Sequence, residues 1–197
     1  MTLLNGYEKR KELKKAAIVN ATQELIFKNG VAETSIEAIA KKAQVSKVTI
    51  FKHFSSKENL VLSVFTSYMN NMMDEFEKLI ASDLSAKEKI SKVLVASDTG
   101  TDAIGSQFFN SIIWNDPMIQ YEYSKIASER ALPAIASIFI QGKAEGEIDE
   151  DITTEALMAY IGALMSIFKD PNFLKSSQEY KNSIRKLYFY GIFGESR

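Results

Sequence analysis

The chain has 197 residues, 46% hydrophobic and 25% charged, with a net charge of −1. That balance fits one globular domain or two small ones, with enough chain to bury a core without disulfides or metals. It contains no cysteine and one histidine, His53, which excludes disulfides, thiolate metal sites, a cysteine nucleophile and a histidine zinc site within one chain.

The first fifteen residues are polar and charged, unlike a signal peptide. No run approaches the roughly 20 apolar residues of a membrane span, so a cytoplasmic protein is expected. Charge is uneven along the chain. Residues 1–60 hold 11 Lys and Arg against 6 Glu, whereas residues 61–197 hold 13 against 19 acidic residues. A basic first third suggests a polyanionic partner.

Apolar residues recur at helical spacing almost throughout, so the chain reads as all-α with about nine helices. The first runs from Glu8 to Lys28, with Leu13, Ala17, Ala21 and Leu25 as its apolar stripe, Ile18 beside it, and Asn29-Gly30 as its stop. Thr34 or Ser35 caps the second helix, and Thr34 with Glu37 has capping-box spacing. Ile36, Ile39, Ala40 and Ala43 give it a complete apolar face. Ser46 caps the third helix, with Ile50 and Phe54 pointing inward. Ser55 or Ser56 caps a long fourth helix reaching about Ala81. Further helices are expected over Ser85–Ala96, Ala103–Trp114, from Pro117 to about Ala144, over Thr154–Phe168 and over Ser177–Phe193. Asp170-Pro171-Asn172 separates the last two.

Residues 34–58 carry the clearest chemistry. Two short helices joined by a tight turn, with Ala40 allowing close crossing and Val45 tucked beneath the turn, form a helix-turn-helix of the kind that enters the major groove of DNA. The third helix presents Ser46, Lys47, Thr49, Lys52 and His53 for bases or phosphates. Val48 and Phe51 are apolar contacts to thymine methyls or sugars. Lys41 and Lys42 end the second helix, and Lys57 opens the fourth, whose N–H groups suit a phosphate.

The stretch resembles the TetR family of transcriptional regulators. The resemblance rests on Glu24-Leu25-Ile26-Phe27, Asn29-Gly30, Thr34-Ser35-Ile36, Ile39-Ala40, Val45-Ser46-Lys47, Ile50-Phe51-Lys52-His53-Phe54 and Ser56-Lys57-Glu58-Asn59-Leu60. A weaker match covers Gly142 to Ile148. The resemblance implies a three-helix DNA-binding domain over residues 8–60, with its motif at 35–54, and a ligand-binding and dimerisation domain over 61–197. It implies operator contacts at Ser35, Ser46, Lys47, Val48, Thr49, Phe51, Lys52, His53 and Lys57, to which the basic end of the second helix adds Lys42. Gln44 stands where the family's turn commonly has Gly, Val48 where a small residue is frequent, and Phe51 and His53 where Tyr is common.

Beyond residue 60 the signals are broader. Phe76, Phe108, Phe109, Trp114, Tyr121, Met158 and Met165 are candidate lining for an apolar or aromatic effector, or plain core. Ala159, Ala163 and Ile167, with Ile184, Leu187 and Tyr188, mark two faces suited to pairing with a second copy. Asp149-Glu150-Asp151 and Asp98 with Asp102 read as solvated loops. With no catalytic constellation and no cofactor signature, the expectation is a homodimeric, ligand-responsive DNA-binding repressor acting on a palindromic operator. The alternative is a helical protein-protein interaction module that keeps the fold.

Overall fold

A computed structural model describes residues 6–96 and 116–194. Among these residues every regular element is helical. The helices are α1 (Gly6–Asn29), α2 (Ile36–Lys42), α3 (Lys47–Phe54), α4 (Lys57–Ile80), α5 (Ala86–Ala96), α6 (Pro117–Ile126), α7 (Leu132–Ala144), α8 (Thr154–Lys169), α9 (Pro171–Lys175) and α10 (Gln178–Phe193). A π-helical turn, Ala127–Ala131, joins α6 to α7. The helix expected over 103–114 lies outside the described residues, and with it Phe108, Phe109 and Trp114. The Asp98–Asp102 loop lies outside them too.

The chain forms two compact units. Within the described residues, one comprises 6–72 and 116–124, and the other 73–96 and 125–194. The first unit therefore reaches beyond the expected limit at residue 60. The reason is packing: Val61, Val64, Phe65 and Tyr68 of α4 and Ile119 of α6 share one core with Ile18, Ile26, Ile39, Ile50 and Phe54.

The inward line of α1 differs from the expected stripe. Ile18, Thr22 and Ile26 are buried, with Val19 and Ala21 beside them, while Leu13 is 62% exposed and Ala17 is exposed. At about 100° per residue, Ala17 lies opposite Ile26 and Leu13 lies about 140° from Ile18. Leu25 packs at the core's edge. The buried Thr22 hydroxyl donates to the Ile18 carbonyl at 2.7 Å, so its polarity is satisfied within the helix.

In the second unit, Ala86, Ile90 and Leu94 of α5, Ile138 and Phe139 of α7, Leu157 and Leu164 of α8, and Tyr188 and Ile192 of α10 are buried together with Ile148. The turn after α7 fixes this arrangement. Gly146, at φ +71°, sends its N–H to Lys143 O at 3.0 Å, and Glu147 sends its N–H to Gly142 O at 2.8 Å. This is a Schellman stop. The two carboxylates of the turn then cap α5: Ala86 N–H donates to Glu145 Oε2 at 2.9 Å and Lys87 N–H to Glu147 Oε2 at 2.8 Å. They satisfy donors that a helix start leaves open and place negative charge at its positive end. The Gln141 side chain bonds Leu84 O and Glu145 Oε1, and accepts from the buried Lys89 Nζ at 2.8 Å. Gly142 makes the close approach possible, because a Cβ there would lie 2.7 Å from Ile148 Cδ1 and 3.0 Å from Ala86 Cβ.

Two further features differ from the sequence expectation. Asp170-Pro171-Asn172 separates α8 from α10 by starting a helix of its own. Asp170 Oδ1 accepts the Asn172 N–H at 2.7 Å, and proline's fixed φ suits the first helical position of α9. The π turn carries Arg130, whose guanidinium holds Glu77 at 2.8 Å and Asp74 at 2.7 Å on α4. The acidic turn 149–151 is tied locally, with Asp149 Oδ1 accepting the Asp151 N–H. Among the described residues no group of three or more His, Asp or Glu side chains is placed to hold a metal ion, and no helix is long and apolar enough to cross a membrane.

Candidate nucleic-acid interface

The candidate interface is built by α2, α3 and the start of α4. Ser35, not Thr34, is the α2 cap: its Oγ accepts the Ala38 N–H at 3.1 Å. Thr34 is buried and its hydroxyl donates to Gly30 O, so the Thr34–Glu37 capping box does not form. The reason is register, since Glu37 then stands at the second helical position instead of the third. Helix α2 ends at Ala43, and Gln44 adopts φ 54°. Val45 N–H reaches back to Ala40 O at 3.0 Å and Gln44 N–H to Lys41 O at 3.3 Å, a Schellman turn with a side chain where glycine is favoured. Val45 is half-buried against the core, and Ala40 is buried at the crossing.

Ser46 caps α3, its Oγ accepting the Thr49 N–H at 3.1 Å and lying 2.9 Å from the Thr49 hydroxyl. Ile50 and Phe54 are the buried residues of this helix. On its other side Val48 is 75% exposed and Phe51 46% exposed. Ser46, Lys47 and Lys52 are exposed, and Thr49, His53 and Lys57 are half-buried. A 75% exposed Val beside a 46% exposed Phe is a poor surface for water alone and a suitable one for thymine methyls or sugars. The His53 ring tilts against Phe54, 6.2 Å between centroids.

Of the two serines that could cap α4, the structure uses Ser56, and Ser55 forms the turn before it. Ser55 lies at φ 66°, ψ −40°, and Ser56 N–H bonds Phe54 O at 2.8 Å. This is a γ-turn, a strained conformation for a residue with a Cβ. Ser56 caps α4 by accepting the Asn59 N–H at 3.1 Å. Glu58 sits in the first turn of α4, where its own backbone N–H and the Ser56 hydroxyl hold its carboxyl below the usual carboxylate range.

Two of the candidate cations have carboxylate partners that sequence reading missed. Lys47 Nζ lies 2.7 Å from Glu37 Oε1, and Lys42 Nζ lies 2.7 Å from Glu24 Oε2. The Lys47 ammonium, with the residue's own N–H, keeps the Glu37 carboxyl below its ordinary pKa. The separation of ten residues hid the first pair, since neither helix alone brings them together. Lys52 and Lys57 make no ion pair among the described residues. Ser35, Lys42, Ser46, Lys47, Val48, Thr49, Phe51, Lys52, His53 and Lys57 thus all lie on the helix-turn-helix or at the start of α4.

The other candidate residues are not gathered in this way. Phe76 and Met158 pack at the edge of the second unit's core, while Tyr121 is 67% exposed on α6 in the first unit. Met165 is half-buried on α8. On the two faces suited to pairing, Ala159 and Ala163 are exposed, Leu187 is 65% exposed, and Ile167 and Ile184 are half-buried. Tyr188 points the other way, buried in the core and tilted against Tyr160 at 4.6 Å between ring centroids.

A sequence model of the tetR family of bacterial regulatory proteins matches residues 18–64. The chain is 34% identical over 86 residues to the fatty acid metabolism regulator protein of Bacillus subtilis, 44% of each chain. The matched stretch covers 25% and 29% of two further Bacillus subtilis regulators, so the chain spans less than half the length of these three relatives. By fold it is similar to a TetR/AcrR-family regulator from Thermobifida fusca, with a TM-score of 0.68 and 22% identity over 93% of this chain and 98% of that one. It is also similar to the transcriptional regulator FadR of Bacillus subtilis in complex with stearoyl-CoA, with a TM-score of 0.60 and 21% identity over 90% and 98%. The helix-turn-helix segment over residues 18–64 thus matches the tetR family of bacterial regulatory proteins, and the fold of the chain is similar to that of solved regulators of this type.

Proposed function

We propose that the protein is a transcriptional regulator that binds duplex DNA by laying α3 in the major groove and uses a second copy of itself to read a two-fold site. One observation carries this reading. Helix α3 is anchored from behind by Ile50 and Phe54 while Ser46, Lys47, Val48, Phe51 and Lys52 stand exposed on the other side. Phosphate contacts from Lys52, Lys57 and the α4 N-terminus set register, and Val48, Thr49 and Phe51 meet base edges.

The second copy pairs through the exposed faces of α8 and α10. Ala159, Gly162 and Ala163 allow close approach, and Leu187 supplies the apolar anchor. A small effector bound by the second unit releases the operator, provided it binds the DNA-incompetent state better. The effector is apolar, and a long-chain acyl compound is the first to screen, because a fatty acid regulator and a stearoyl-CoA-bound regulator are among the relatives.

The test is a salt titration of duplex binding. Affinity should fall linearly in log–log form, and Lys52→Ala or Lys57→Ala should lower the slope by about one each. Binding that ignores salt, or a slope unmoved by either substitution, would favour a protein-protein module on the same fold.

A further inference from the structure

The cations of the docking face fall into two kinds. Lys52 and Lys57 make no ion pair among the described residues. Lys47, at the first position of the recognition helix, is held by Glu37 at 2.7 Å across the helix-turn-helix. Both side chains are largely exposed, at 55% and 65%, so the pair lies on the surface and stabilises nothing in the core. Its position gives it another consequence. An anion approaching Lys47 meets a carboxylate already there.

Given the DNA-binding reading, on which this inference rests, we propose that Glu37 is a specificity-determining residue of the docking face. A carboxylate accepts hydrogen bonds and donates none. Against phosphates it repels, and it takes back the ammonium that would otherwise neutralise one of them. Against base edges it distinguishes: the amino groups of cytosine and adenine donate to it, whereas the O6 and N7 of guanine and the O4 of thymine offer only acceptors. Docking driven by phosphates alone therefore loses the Lys47–Glu37 pair without replacement. Docking in register over an amino group keeps the carboxylate satisfied while Lys47 turns to the backbone. Discrimination of this kind comes from a penalty on wrong partners as much as from a gain on the right one. Ser35 and Ser46 fix the starts of the two helices that carry the pair, so the carboxylate is held in place.

The experiment compares the wild-type chain with Glu37→Gln on a mixed-sequence 30-base-pair duplex and in selection from a randomised duplex pool. Glu37→Gln should bind the mixed duplex more tightly by up to about fivefold, the upper end of what an exposed ion pair sets. Its salt slope should steepen by about 0.9, one extra phosphate. The selected consensus should lose a cytosine or adenine preference at one position of each half-site. Glu33→Gln, an equal charge change elsewhere in the same unit, should do none of this, and in a Lys47→Met background the affinity gain should shrink and the steepening of the salt slope should vanish. An unchanged affinity and consensus for Glu37→Gln overturns the role of Glu37 alone. An equal effect from Glu33→Gln does the same, since it reduces the effect to net charge. A wild-type chain that retains no duplex overturns the DNA-binding reading itself, and this role with it.

Discussion

Substitutions on the two sides of α3 separate folding from docking. Ile50 is fully buried among α1, α2 and α4 residues. Ile50→Ala removes three carbons at about 0.8 kcal/mol each, and the space left behind adds to that. A loss of about 3–4 kcal/mol follows, inside the usual range for such truncations. For a chain of this size the melting midpoint should drop by roughly 6–16 °C. Val48 is 75% exposed on the same helix. Val48→Ala should leave stability within about 0.5 kcal/mol, since alanine is the better helix former and no packing is lost. Thermal melts followed by far-UV circular dichroism, beside duplex binding by fluorescence anisotropy, read both effects. Ile50→Ala should lower the midpoint and duplex binding together, whereas Val48→Ala should move binding alone. A stability loss under 1 kcal/mol for Ile50→Ala, or a Val48→Ala variant that melts early and binds normally, would refute the assignment of the two faces.

Further predictions address the rest of the chain. Gly142→Ala should destabilise by about 1–2 kcal/mol, overlap with Ile148 and Ala86 outweighing the gain in helix propensity. Gly162→Ala meets nothing within 4 Å and should stabilise the isolated chain by about 0.5–1 kcal/mol while weakening self-association, as read by denaturation and sedimentation. Leu187→Glu should shift the sedimenting species toward monomer without lowering the melting midpoint of the chain. The Gln141 amide and the Ala86 N–H hold the Glu145 carboxyl below its ordinary range. A depressed folded-state pKa contributes stability above the unfolded value and loses it as pH falls through the folded value. The midpoint difference between wild type and Glu145→Ala should therefore be constant near neutrality and shrink below about pH 4.5. Ser55→Gly should relieve the γ-turn and raise stability by up to about 1 kcal/mol, seen as a higher denaturant midpoint.

The sequence made the motif legible because its signals were local. Ser46 caps, Ala40 crosses and Val45 tucks under, each read from a few neighbouring residues, while the left-handed turn at Gln44 is what the family resemblance implies. What stayed hidden depended on distance or on rotation. Leu13 and Ala17 have helical spacing but lie on the wrong side of α1, which the period alone does not reveal until the partner helices are placed. Tyr188 has the spacing of an outward stripe but faces the core, where the Tyr160 ring tilts against it. The Lys47–Glu37 and Lys42–Glu24 pairs, and the Glu145 and Glu147 caps on α5, join residues from different helices. The effector lining was the least legible, because aromatic and Met side chains at helical spacing look alike whether they fill a core or line a cavity.

The most direct test of the central claim is sequencing of the duplexes that the purified chain recovers from fragmented genomic DNA of its source. The account predicts enrichment of a two-fold symmetric sequence, with half-sites about one helical turn or a multiple apart, and loss of that enrichment in a chain carrying Val48→Ala with Lys52→Ala. Enrichment without symmetry would contradict the paired docking heads. Symmetric enrichment that survives both substitutions would contradict the assignment of α3 as the reading helix.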